Sequence, residues 1–315
     1  MSGKNVTEVV LADAAGIARA AKVLSDGGLV AVPTETVYGL AARADSDAAV
    51  ARIYEAKGRP SFNPLIVHVR GAEQARGLVE WSDAAAIAAD QHWPGPLTMV
   101  LPRLEGAALA DAVTAGLPTL AVRAPAHPVM QELLETVDFP IAAPSANASG
   151  FISPTTPAHV LATLDGRIDL VLDAGPTTAG VESSIMALRA DGSWEELRSG
   201  PVDPEALTAA TTASNSSKPI EAPGQLASHY APGKPVRLDA THAEPDEFVI
   251  GFGALAGDCS LSSGGDLKEA AARLYDCLHQ GAASEKLRIA VAPVPMEGVG
   301  RAINDRLKRA ATPPD

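Results

Sequence analysis

Apolar residues fall along this chain in short runs, and polar or alanine-rich stretches with a helical period separate many of them. Runs at 28–33, 63–70, 97–101, 119–124, 139–143, 169–173 and 183–188 are largely apolar and read as strands, as does 194–198. Helical patterns cover 13–25, 45–56, 83–92 and 128–136, each opening near an Asp or a Pro. This mixture predicts an α/β domain built on a sheet. Strict alternation fails over 169–198, where consecutive strands joined by turns are expected. A mixed sheet is therefore predicted in preference to a doubly wound parallel one.

The periodicity stops at 211–235, where Ser, Thr, Pro and Gly dominate. That stretch divides the chain into a domain over 1–210, a linker over 211–235 and a smaller domain over 236–315. The smaller unit carries strand-like runs at 236–238, 247–252 and 287–292, with helices near 266–280 and 297–310. It reads as a small Rossmann-like α/β domain. Gly251 and Gly253 follow a strand and fit a relaxed dinucleotide fingerprint, but the loop-like residues 257–265 come next. A tight turn is the expected reading there.

At 315 residues the chain allows about two domains of ordinary size. Aromatic residues make up only 4 %, so the cores must be filled by Ala, Val, Leu and Ile. No apolar run is long enough for a membrane-spanning helix, and the first residues lack the apolar core of a secretory signal. Cys259 and Cys277 are the only cysteines and stand too far apart in sequence for a metal or redox motif, so lone thiols in a reducing cytoplasm are expected. Net charge is −13, of which −11 falls in residues 1–205, and this argues against stable nucleic-acid binding over the whole surface.

Candidate chemistry lies in two short segments. Lys57 and Arg59 bracket Gly58 just before the apolar run at 63–70, and Ser145 and Asn147 follow the run at 139–143, sharing one face if extended. Fixed cations facing small hydrogen-bonding side chains suit a polyphosphate or nucleotide held between strand ends. Arg123 ends another apolar run, and its planar fork suits a carboxylate. No Ser-His-Asp or Cys-His set, Walker loop or metal-ligand spacing is present, so no metal site made of protein side chains is predicted.

These segments, with three others, resemble the YrdC-like threonylcarbamoyl-AMP synthases. The resemblance rests on Pro-Thr-Glu-Thr-Val-Tyr-Gly-Leu at 33–40, Lys-x-Arg-Pro-x-x-Asn-Pro-Leu at 57–65, Ser-x-Asn at 145–147 and Gly-Val-Glu-Ser-Ser at 180–184, in that order. Gly-Gln-Leu-Ala-Ser-His-Tyr-Ala-Pro at 224–232 looks like the linker of the two-domain members. The resemblance implies a twisted open mixed sheet with a concave basin, and an enzyme that joins L-threonine, bicarbonate and ATP into threonylcarbamoyl-AMP and pyrophosphate. It assigns Thr36, His68, Arg123, the Ala143 backbone and Ser183 to threonine. It assigns Lys57, Arg59, Asn63, Thr119, Ser145, Asn147, Ser153, Arg198 and Tyr230 to ATP, with Lys57, Arg59, Ser145 and Asn147 central to the chemistry. Mg2+ is expected on the triphosphate, and the product is expected to pass to a tRNA threonylcarbamoyl transferase complex in the cytoplasm. Ser184 and Ser199 depart from the commoner Thr and Pro of the family without removing a charge. Two alternatives carry less: a carbamoyl-adenylate module of hydrogenase maturation, which would bring zinc-finger cysteines, and a non-catalytic RNA-binding module, which the net charge opposes. The bulky Gln225, His229 and Tyr230 are more than a passive tether needs, so 218–235 is expected to close over the basin.

Overall fold

A computed structural model describes residues 6–60, 62–189, 192–204, 207, 221–224 and 228–312. Part of the predicted linker, 211–220 and 225–227, lies outside the described residues. The first sheet contains β1 (Glu8–Leu11), β2 (Val30–Val32), β3 (Gly39–Arg43), β4 (Ile66–His68), β5 (Leu97–Pro102), β6 (Thr119–Arg123), β7 (Ile141–Ala142), β8 (Leu170–Asp173), β9 (Ser184–Leu188) and β10 (Trp194–Arg198). Its order is β1-β8-β2-β3-β7-β4-β6-β5-β9-β10, with parallel and antiparallel pairs mixed as predicted.

Helices cover both faces. Val30 and Val32 pack with Ile17 and Leu24 of α1 (Ala14–Ser25), whereas Ala31 between them joins a core on the opposite face. That opposite core holds Val50 and Ile53 of α2 (Asp47–Lys57), with smaller contributions from α3 (Ala72–Ala75), α4 (Asp83–His92) and α5 (Asp111–Thr114). α6 (Pro128–Thr136) adds Met130 and Leu133 to the first face, and α7 (Pro157–Leu164) adds Val160 and Leu164 to the second. Asp13, Ser46, Ser82 and Thr156 cap their helices by accepting a backbone N–H two or three residues on.

Several elements differ from the expectation, and α3, α5 and α7 are helices that the periodicity did not predict. β3 was hidden inside a motif, because Gly39-Leu-Ala-Ala-Arg43 has neither β-branched residues nor alternation. β1 carries few buried side chains and sits at the sheet edge, so its pattern is faint. β9 and β10 form the expected antiparallel pair, but β8 lies far across the sheet between β1 and β2.

The second sheet is wholly parallel, in the order β11-β14-β12-β13. Its strands are β11 (Val236–Arg237), β12 (Glu247–Gly251), β13 (Cys259–Ser260) and β14 (Arg288–Val291), packed by α8 (Leu267–Ala283) and α9 (Gly300–Ala311). The segment after β12 is a tight turn, with Gly253 at φ +59° and Phe252 bridged to Leu255. The expectation of lone thiols fails: Cys259 and Cys277 are joined by a disulfide, with Cα atoms 5.8 Å apart. α8 packs directly on β13, which brings residues 18 positions apart in sequence together. Cysteine usage therefore carries no argument about compartment.

The two sheets share a buried boundary. Val37, Ile152 and Val181 from the first unit and Tyr230 from the connecting segment belong to the same core as Leu274, Tyr275 and Ile303. Gly180 makes this contact possible. It sits at φ +71°, and a Cβ placed there would lie 2.3 Å from the Ala271 carbonyl oxygen of α8. Gly180→Ala should therefore lower stability by roughly 1–3 kcal/mol. A thermal melt that matches the parent would show that the boundary is looser than this geometry requires.

Candidate active site

The site is built on three neighbouring strands, β7, β4 and β6. The parallel register of β4 and β6 sets His68 opposite Arg123, and β7 lies antiparallel to β4 on its other side. The turn after β2 adds Thr34 and Thr36. Thr34 Oγ1 accepts the amides of Thr36 and Val37 and lies 2.8 Å from Thr36 Oγ1, so it fixes the turn. Thr36 Oγ1 in turn accepts from Arg123 Nη1 at 3.0 Å.

Arg123 is buried. Its Nε donates to the Gly95 carbonyl at 3.2 Å, and its Nη2 lies 2.6 Å from Glu35 Oε1 without hydrogen-bond alignment. The fork is thus loosely engaged by a carboxylate from the Thr34–Thr36 turn. His68 is buried with Nδ1 unpartnered, and burial, then Arg123, pushes its imidazole down to about 3, so it is neutral. Ser183 Oγ lies 2.8 Å from Thr98 Oγ1 and accepts from Arg198 Nη2 at 3.1 Å.

Lys57 does not stand in an open basin. It ends α2, is 3 % exposed, and its Nζ donates to the Ser145 and Asn147 carbonyls, each at 2.5 Å. Burial, then Arg59, holds its ammonium well below the ordinary lysine range. Gly58 at φ +60° ends the helix and turns the chain, so that Arg59 faces the cavity and donates to the Asn63 and Pro64 carbonyls. Burial lowers the Arg59 guanidinium to about 10.

The reading of Ser145 and Asn147 as one extended face fails. The Asn147 amide N–H bonds back to the Ser145 carbonyl at 3.0 Å, so the segment turns. Ser145 lines the cavity, whereas the Asn147 side chain donates to the Ala148 and Phe151 carbonyls and steadies the next turn.

Thr36, Arg59, His68, Arg123, Ala143, Ser145, Ser183, Arg198 and Tyr230 all line one cavity. Lys57, Asn63, Asn147 and Ser153 lie behind that lining: Lys57 and Asn147 brace the 145–151 backbone, and Ser153 Oγ donates to Glu182 at 2.5 Å. Thr119 opens β6 at the opposite end from Arg123 and is not part of the lining. Glu35 and Glu182 also belong to the site but were not singled out from the sequence, whereas His229, expected there only as part of the closing segment, lines the cavity as well. Both glutamates stand inside the motif stretches, so those stretches were the available signal.

Pro223, Gly224, His229 and Tyr230 close the cavity from outside. Gly224, at φ +85°, passes so close that a Cβ would lie 3.0 Å from Arg198 Cδ. Tyr230 is buried at φ +64°, a strained conformation for a bulky residue, and its ring contacts His229 and Tyr275. The cavity is about 40 Å³, small beside the roughly 300–1,000 Å³ of small-molecule sites. A larger cleft of about 590 Å³, between Arg70, Arg76 and Trp93, contains none of the motif side chains.

Comparison with known proteins decides the family. Residues 22–200 match a family described as "Telomere recombination", and residues 193–312 match one described as "Threonylcarbamoyl-AMP synthase, C-terminal domain". The threonylcarbamoyl-AMP synthase of Bacillus subtilis is 38 % identical, over 98 % of this chain and 96 % of its own. The chain belongs to the threonylcarbamoyl-AMP synthase family. The crystal structure of Pyrococcus abyssi Sua5 complexed with L-threonine superposes with a TM-score of 0.87 at 35 % identity, covering 97 % of both chains. Full-length HypF in a phosphate- and nucleotide-bound form matches at TM-score 0.53 and 27 % identity, over 58 % of this chain and 28 % of that one. The twisted open mixed sheet of YrdC-like proteins is thus the fold of the larger unit.

Lys57→Ala tests the bracing role. It strips the donor from two buried carbonyls and should lower stability by roughly 1–3 kcal/mol. Urea unfolding reads this directly, and an unchanged midpoint would return Lys57 to a purely ligand-facing role.

Proposed function

We infer that this chain makes threonylcarbamoyl-AMP and pyrophosphate from L-threonine, bicarbonate and ATP. One observation carries the reading. Lys57, Arg59 and Arg198 are buried around one cavity, and among the described residues each is bonded to backbone carbonyls or a hydroxyl, with no ion pair to a carboxylate. Buried positive charge left without counter-ions calls for an anionic ligand. The neutral His68 and the carboxylate-gripping Arg123 stand beside it.

The chemistry follows from these groups. The threonine amine and bicarbonate combine with loss of water to give a carbamate. A carbamate oxygen attacks the α-phosphorus of ATP, the bond to the β-phosphate breaks, and pyrophosphate leaves. No side-chain nucleophile is required; the work is alignment of anionic reactants and stabilisation of charge on the phosphate oxygens. Arg123 holds the threonine carboxylate, displacing Glu35 from its fork, while Thr36, Ser183 and the Ala143 backbone orient the rest of the amino acid. Arg59, Arg198 and Ser145 face the phosphates, Lys57, Asn63, Asn147 and Ser153 support that wall, and Tyr230 covers the nucleotide. Thr119 would contribute only from the far end of β6.

ATP arrives as its Mg2+ complex. Among the described residues no group of three or more His, Cys, Asp or Glu could hold a metal, and Glu182 is already engaged by Ser153, Tyr275 and Arg306. The donor set therefore fits a cation held by phosphate oxygens and water. No helix among the described residues is long and apolar enough to cross a membrane. The product would pass in the cytoplasm to a tRNA threonylcarbamoyl transferase complex, for the threonylcarbamoyladenosine beside the anticodon.

Incubation of the purified protein with ATP, labelled bicarbonate and single amino acids tests the reading. Pyrophosphate release and labelled adenylate should require both threonine and bicarbonate. Equal turnover with serine, or turnover without an amino acid, would contradict it.

A further inference from the structure

Glu182, a carboxylate in the cavity wall, is held largely from the other domain. Its carboxylate accepts from Tyr275 of α8 at 2.8 and 3.0 Å, from Ser153 at 2.5 Å and from Arg306 Nε of α9 at 3.1 Å. Burial opposes its ionisation, but Arg306 and then Arg198 outweigh burial and bring its carboxyl down to about 2. It is a full negative charge one residue from Ser183, the group on which Arg198 rests.

Arg306 is fully buried and touches three segments of the site. Besides Glu182 it donates from Nη1 to the Ser199 carbonyl at 2.6 Å, next in the chain to Arg198, and to Asp305 at 3.1 Å. Its guanidinium also lies 5.7 Å over the Tyr230 ring. Glu182 thus lies between two buried cations, Arg198 and Arg306, while Asp305 is a second, partly exposed anion that pairs with Arg306 rather than Arg198. Glu182 can satisfy only one of the two cations well. Here it satisfies Arg306, and Arg198 instead donates to Ser183 and to the Pro223 carbonyl.

We propose that Arg306 is a positioning residue for the nucleotide site: by holding Glu182 it keeps the Arg198 guanidinium available to the polyphosphate. Without Arg306, Glu182 is a buried unpaired charge next to Arg198, and the two pair with each other. The smaller domain thereby sets the charge that ATP meets. This inference rests on the ATP-using reading above.

Binding of α,β-methylene-ATP, which cannot release pyrophosphate, reads the effect, with thermal melts as a control on folding. Arg306→Gln should weaken binding about 10- to 100-fold, as expected for a lost charge-assisted contact. It should raise the KM for ATP more than the KM for threonine. The double variant Glu182→Gln with Arg306→Gln removes the competing anion as well, and should bind the analogue at least about tenfold more tightly than Arg306→Gln alone. A purely structural role predicts the opposite, because a second buried group is disturbed. Arg306→Lys keeps the charge beside Glu182 but loses the fork, so it should bind the analogue less than about tenfold more weakly than the parent, which decides the matter should the Gln variant not fold. A double variant no tighter than the single one, or a Lys variant as weak as Gln, overturns the proposal. A parent protein that makes no adenylate at all would instead overturn the functional reading.

Discussion

Everything at the active site depends on keeping positive charge buried without cancelling it. Lys57, Arg59 and Arg198 would each be far more stable in water, or beside a carboxylate. The fold satisfies them with carbonyl oxygens from the 63–64, 145–147 and 183 segments. Carbonyl dipoles ease the desolvation of the cations and add no negative charge to cancel theirs. That is the condition a polyanion needs, and it explains why these motifs are turns: a regular strand would spend its carbonyls on neighbouring strands. Gly58 and the turn at 145–147 free those oxygens for the cations.

Two carboxylates are admitted, and each is paired with an arginine. Glu35 sits against Arg123 and Glu182 against Arg306. The first pairing can give way to a substrate carboxylate, because it is not aligned as a hydrogen bond. The second is built from four donor contacts and joins the two domains. The segment carrying His229 and Tyr230 lines the cavity between them, with Tyr230 at a strained backbone angle.

Much of this was legible in the sequence. Apolar runs located β5, β6 and β9 closely, because strands buried on both faces read as continuous apolar runs. Arg123 and His68 were visible as polar residues closing or interrupting such runs. The side chain that Lys57 would reach was not visible, since its partners are backbone atoms nearly ninety residues away. Sequence also placed Ser145 and Asn147 on one face, which a turn undid. Arg306 left no signal: on an amphipathic helix with several basic neighbours it reads as a surface charge. Likewise, the spacing of Cys259 and Cys277 says nothing of their contact, which depends on α8 crossing β13.

The central claim is that aligned charge, and no covalent step on the protein, carries the reaction. The stereochemical course at the α-phosphorus tests it most directly. With ATP made chiral at that phosphorus by sulfur and oxygen isotope, a single in-line attack by the carbamate must give an adenylate of inverted configuration. Retention would mean two displacements through a nucleotidyl-protein intermediate, and would contradict the account.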